Sequence, residues 1–243
     1  MKNSKIQNKN LFGFTLASDA TEDYLAARIL FEKEHILPAI QLATTAIEKL
    51  FKSFINIAYD EIFDKRVHEP YQLYLCAEEG FKHHGLNFST DFLFWLDQVY
   101  HSRYSSNLYP AKEITFGEKH FLMNLDEIFY KTFEFYKKCN DELASLYFCK
   151  PFLSQITANN HIHQGLKKED ESKKAQKIFS FFFIDGRRTD VKTHIRAFNP
   201  SNPFVFKDVQ IQGESVVFNL DVGTLSPMDL PPDYWTQYSE QWT

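Results

Sequence analysis

The sequence predicts a mainly α protein, an up-and-down helical bundle with a small antiparallel β appendage at its C-terminal end. Three observations predict it. Through most of the first 150 positions apolar residues recur at steps of three and four, the period of a helix with one face turned to a core. From residue 177 onward, short β-branched and aromatic runs alternate with turn dipeptides. With 44% hydrophobic residues and 25 phenylalanines in 243, the chain has the apolar material for a sizeable core.

Residues 1–18 are expected as an N-terminal arm. Their basic start and the apolar run 11–17 imitate a signal peptide, but the run contains Gly13 and Thr15 and is short for that purpose. The helical bundle is assigned to 19–150. Its first helix opens at Asp19 or Thr21, with Glu22 and Asp23 in the first turn, where acidic groups favour a helix N-terminus. The second carries Ile36, Ile40, Ala43, Ile47, Leu50, Phe54 and Ala58 on one stripe, with Pro38 tolerated in the first turn. Glu48, Lys49 and Lys52 leave that stripe as a charged patch. A third helix is expected over 70–83. A fourth follows, capped by Ser89 or Thr90 and bearing Phe92, Trp95, Leu96 and Val99.

Pro110 and Gly117 interrupt helix chemistry between Ser105 and Gly117. The longest helical pattern then runs from Glu118 to about Tyr147. Phe121, Leu122, Leu125, Ile128, Phe129, Phe133 and Tyr136 lie on its apolar side, and Phe135 is surplus to that side. The surplus predicts burial on two faces, one of them a possible subunit interface. Residues 151–176 read as a charged linker or helix because of the mixed charge run 165–177. Residues 177–243 read as three or four antiparallel strands and an irregular tail, with Asp185-Gly186 as a hairpin turn and Arg187 and Arg188 at its tip.

Composition excludes some functions. The net charge is −5 with no basic block, so no footprint for duplex DNA is expected. No window approaches the 18 apolar residues of a membrane span, so no membrane partner is expected. Cys76, Cys139 and Cys149 are sparse and odd in number, which suits a reducing compartment, and a cytoplasmic location is expected. The pairs His161/His163 and His83/His84 lack further ligands in a metal-like spacing. Neither a metal nor a cofactor is expected.

The stretch from Tyr24 to Ile55 contains Ala46, Ile47, Glu48, Lys49 and a further Lys52, and the stretch from Phe92 to Tyr104 ends an apolar helix in Tyr100, Arg103 and Tyr104. Together they resemble the HEPN domain family over roughly residues 19–147. The resemblance implies a bundle of four or five helices and a homodimer. It also implies kinship with metal-independent RNases, many of them toxins or defence effectors, that pair an Arg with a His four to six residues on. Here Arg103 is followed at that spacing by Leu108, Tyr109 and Pro110, none of which is a general base at neutral pH. The spacing recurs as Arg28…His35 and as Arg187 or Arg188…His194, outside the family's context.

Two functional readings follow. In the first, the chain is a HEPN-like binding or assembly module that binds RNA, a nucleotide or another protein and does not cut RNA. Its ligand-binding candidates are Arg103 as the charge, Tyr104 and Tyr109 as stacking faces, and Glu48 and Lys52 bordering the cleft. In the second it is an endoribonuclease in which Arg103 works with a displaced histidine, His101 or His120.

Overall fold

The computed structural model describes the backbone of residues 2–59, 66–101, 112–139, 160–162, 165, 176–184, 187–196, 204–208, 210–212 and 215–217, and side chains within 11–59, 66–100, 114–139, 160–162, 165, 176–179 and at 204. The described residues form six α-helices and a small amount of antiparallel sheet, in keeping with the predicted class.

Helix α1 (Lys2–Glu32) pairs with α2 (Ile36–Ala58) as an antiparallel hairpin. The segment expected as a separate arm is therefore helical. The reason is that the apolar face of α1 extends back through Ala17 and Phe14, both buried, with Phe14 lying against the Tyr136 ring at 5.7 Å. At Gly13 the two helices approach closely. A Cβ there would meet Ile57 Cγ1 at 2.7 Å, and the Gly13 carbonyl accepts the Ser53 hydroxyl at 2.6 Å. Ser53 Oγ in turn accepts the Tyr136 hydroxyl at 2.9 Å, so one short relay fastens three helices. The α1–α2 turn is a Schellman motif without glycine. Glu34 takes φ 60°, its N–H bonds the Phe31 carbonyl, and the His35 N–H bonds the Leu30 carbonyl.

The predicted α2 stripe is buried through Phe54, and further residues around it are buried too, among them Ala39, Ala46, Phe51 and Ile55. The helix expected over 70–83 is two, α3 (Pro70–Cys76) and α4 (Glu78–His83), because Ala77 leaves helical geometry at φ −125°. Helix α5 (Thr90–His101) is capped by Ser89, whose Oγ accepts the Phe92 N–H at 3.3 Å. Helix α6 (Glu118–Cys139) is described to Cys139, and its expected continuation to Tyr147 lies outside the described residues. Phe135 does have a second buried environment, but this chain supplies it: the Phe135 ring lies 5.1 Å from Phe54 and 4.7 Å from His84. The surplus aromatic is thus covered within the chain.

The main sheet has the order β3-β2-β1-β4, with β1 (Lys112–Gly117), β2 (Gln176–Ile184), β3 (Arg187–Arg196) and β4 (Phe204–Asp208), all antiparallel. A second hairpin pairs β5 (Gln210–Gln212) with β6 (Ser215–Val217). Ile184 pairs with Arg187 across residues 185–186, the register of the expected two-residue hairpin. Strand β1 lies in the expected break within the helical bundle, where no strand was expected, so the sheet shares the bundle's core. Phe31 of α1 stacks on Phe121 at 5.0 Å and meets Phe179 of β2 edge-on at 5.6 Å, and Phe204 of β4 lies on Phe92 and Trp95. Gln176 Oε1 accepts the N–H groups of Lys119 and His120, capping α6 from the sheet, and Gly117 leaves the room this needs.

Candidate functional site

Of the predicted site residues, the structure brings Glu48 and Lys52 together on one face of α2, with Lys52 Nζ 2.8 Å from Glu48 Oε1. The same oxygen lies 2.9 Å from Nδ1 of His68, a half-exposed residue of the segment before α3 that the sequence reading did not single out. One carboxylate thereby holds an ammonium and an imidazole, and the Nδ1 contact leaves His68 Nε2 as the ring's other polar atom. Arg66 stands two residues earlier and is exposed. Glu69 Oε2 accepts the His68 backbone N–H at 3.0 Å.

Helix α5 reaches this corner through Asp97. Its Oδ1 accepts the Tyr71 backbone N–H at 3.0 Å, and the Gln72 N–H bonds the same side chain. Asp97 thus caps α3 in place of Glu69, whose side chain makes no cap bond. Burial pushes the Asp97 carboxyl well above the usual carboxylate range, the Glu69 charge pushes the same way, and the two backbone N–H bonds only partly offset them. Because its folded pKa is raised, charged Asp97 costs stability at neutral pH, and that cost is relieved as pH falls through the folded value toward the unfolded one. Asp97→Asn keeps an acceptor for the cap and removes the charge. Chemical denaturation at pH 7 should show it at least as stable as the parent, whereas Asp97→Ala should lose about 1–2 kcal/mol.

His101 ends α5 one turn after Asp97. The side chain of His101, and Arg103, Tyr104 and Tyr109, lie outside the described residues. His120, the other proposed displaced histidine, is 5% exposed in the first turn of α6, and its ring faces Phe204 at 6.4 Å. That burial under the sheet keeps it from a solvent-borne phosphate.

A second polar constellation joins α1, α6 and residues 160–161. Asp126 is fully buried and its carboxylate receives three hydrogen bonds, with the His161 ring nitrogen as a further close neighbour. Arg28 Nη1 and the Tyr24 hydroxyl (2.7 Å) reach Oδ1, while the His161 backbone N–H (2.9 Å) and His161 Nδ1 (3.0 Å) reach Oδ2. Asn160 Nδ2 donates to the Asp126 carbonyl at 3.0 Å and the Tyr24 hydroxyl at 3.3 Å. Burial alone would raise the Asp126 carboxyl; the His161 bonds and the Arg28 charge outweigh it and hold the carboxyl below its ordinary value. The constellation fastens a turn to the bundle. It also accounts for the Arg28…His35 spacing, since Arg28 turns inward to Asp126 while His35 sits exposed before α2. His161, weighed above as a metal ligand, is a partner of Asp126; His163 lies outside the described residues. Among the described residues no group of three metal-ligating side chains forms, and no helix is long and apolar enough to cross a membrane.

A cleft of about 300 Å³ at the end of α6, lined by His84, Tyr130, Lys131, Glu134, Phe135 and Cys139 among others, shares no residue with the α2–α5 corner. Fold and site together define a mainly α bundle with a small antiparallel sheet and a charged corner between α2, α3 and α5. Compared with protein-family models, curated proteins and solved structures, the chain matches none.

Proposed function

We propose that the chain is a HEPN-like binding and assembly module, dimeric through its helices, that holds RNA or a nucleotide by its phosphates without cutting it. The observation that carries this reading is the α2–α5 corner. Glu48 and Lys52, which the HEPN resemblance places beside the cleft, meet His68, Arg66 stands exposed two residues before His68, and Asp97 of α5 caps the helix that follows. Lysine and arginine there supply N–H donors to phosphate oxygens, and the aromatic pair Tyr104 and Tyr109 supplies stacking surface. The interior Arg28 is committed to Asp126 and acts as a fastener. In fluorescence anisotropy with labelled single-stranded RNA at low salt, the parent protein should bind. The double variant Lys52→Ala/Arg66→Ala and the variant Arg103→Ala should each bind about tenfold or more weakly, as each phosphate contact removed costs affinity. Equal affinity in all three proteins would overturn the reading.

A further inference from the structure

The charges of the corner cancel. Lys52 and Arg66 are matched in number by Glu48 and Glu69, and Lys52 already shares the Glu48 oxygen that His68 approaches. A phosphate arriving there meets no net positive charge from these four groups. Asp97 of α5, deep in the corner, adds none, and His101 follows it four residues on along α5. Histidine is the side chain whose charge changes near neutral pH, and His68 is the described histidine that contacts Glu48 in this corner. Its surroundings favour the charged form once a ligand arrives: the Glu48 carboxylate sits at Nδ1, and a phosphate oxygen would face Nε2.

We infer that the α2–α5 corner is a proton-coupled phosphodiester site, in which His68 takes up a proton from solvent at Nε2 as a phosphate binds, with Glu48 as its positioning residue. The inference rests on the phosphate reading of this corner and adds its regulation: affinity falls as pH rises. In the complex the ring is an imidazolium between two anions, and the proton it gains comes from solvent.

The experiment is titration calorimetry of the full chain with a single-stranded RNA bearing 5′- and 3′-hydroxyl ends, whose phosphodiesters do not titrate over the range used. Each titration is run at pH 6 and pH 8, in two buffers of different ionisation enthalpy. The parent protein should bind more tightly at pH 6, by up to about tenfold per pH unit for one linked proton, with heats that differ between buffers. His68→Gln should still bind but lose both the pH dependence and the buffer dependence. His101→Gln should keep both. His68 is half-exposed, so an unchanged melting temperature for His68→Gln is expected and separates loss of linkage from loss of fold. Absence of binding at either pH would remove the phosphate reading itself. Binding of equal strength at pH 6 and 8, or a pH dependence that survives His68→Gln, would overturn the proton coupling alone.

Discussion

Asp126→Ala should lower the unfolding free energy by about 3–5 kcal/mol in urea denaturation, one of the two largest losses expected for a single substitution in this chain. The side chain is fully buried, and its removal strands the Arg28 guanidinium, itself 7% exposed, together with the Tyr24 hydroxyl and two groups of His161. The cost comes from the uncompensated buried charge more than from the net worth of the ion pair. A paired substitution separates the two. Arg28→Met with Asp126→Leu removes both charges and restores apolar volume, and it should recover most of the loss. The same carboxylate sets an acid limit. Its folded pKa lies below its unfolded one, so its stabilisation is fully present above the unfolded value near 4 and is lost as pH falls through the folded value. Stability measured from pH 5 down to pH 2 should therefore decline in the parent protein and decline less steeply in the Met/Leu pair.

Phe81→Ala should cost a comparable 3–5 kcal/mol. Phe81 has no exposed surface and stands at the centre of an aromatic cluster that closes the far end of the bundle. Its ring stacks on Phe54 at 4.0 Å and lies 4.9 Å from Phe51, 5.1 Å from Tyr74 and 6.0 Å from Phe88. Truncation removes the transfer free energy of a phenyl ring and leaves a cavity walled by four other rings, which cannot collapse far without breaking their own contacts. Phe81→Leu fills part of that space and should recover a substantial part of the loss. An alanine variant within about 1 kcal/mol of the parent would mean that the cluster is not packed as described.

The helical half could be read from the sequence because its signals are local. The α2 stripe from Ile36 to Phe54 and the α6 stripe around Phe121 and Phe129 declare their period within a few turns, and both are buried. The misreadings have particular causes. Ala77 breaks the helix pair α3–α4 without a glycine or proline, and Glu34 ends α1 in a left-handed conformation that a sequence would ordinarily mark with glycine. Strand β1 is only six residues long, and its partners β2 and β4 lie far along the chain, so no local pattern announces it.

The polar residues were harder still. Asp97 and Asp126 sit in amphipathic helices, where an acidic residue ordinarily reads as the solvent side, yet both are buried because of distant partners. The Arg28 partner of Asp126 is 98 residues away. In the corner, Glu48 and Lys52 were found through the helical i, i+4 spacing and the family pattern. His68 comes to Glu48 from 20 residues away, out of an irregular segment with no periodicity to read.

The central claim is that the corner holds RNA and leaves it whole. The most direct measurement incubates the protein with a defined single-stranded RNA at pH 6 and pH 8, separates the complex by size, and determines the mass of the recovered RNA. The account predicts full-length RNA in the bound fraction at pH 6 and less bound RNA at pH 8. Shortened fragments that accumulate with time, and that disappear when Arg103→Ala replaces the parent, would contradict it.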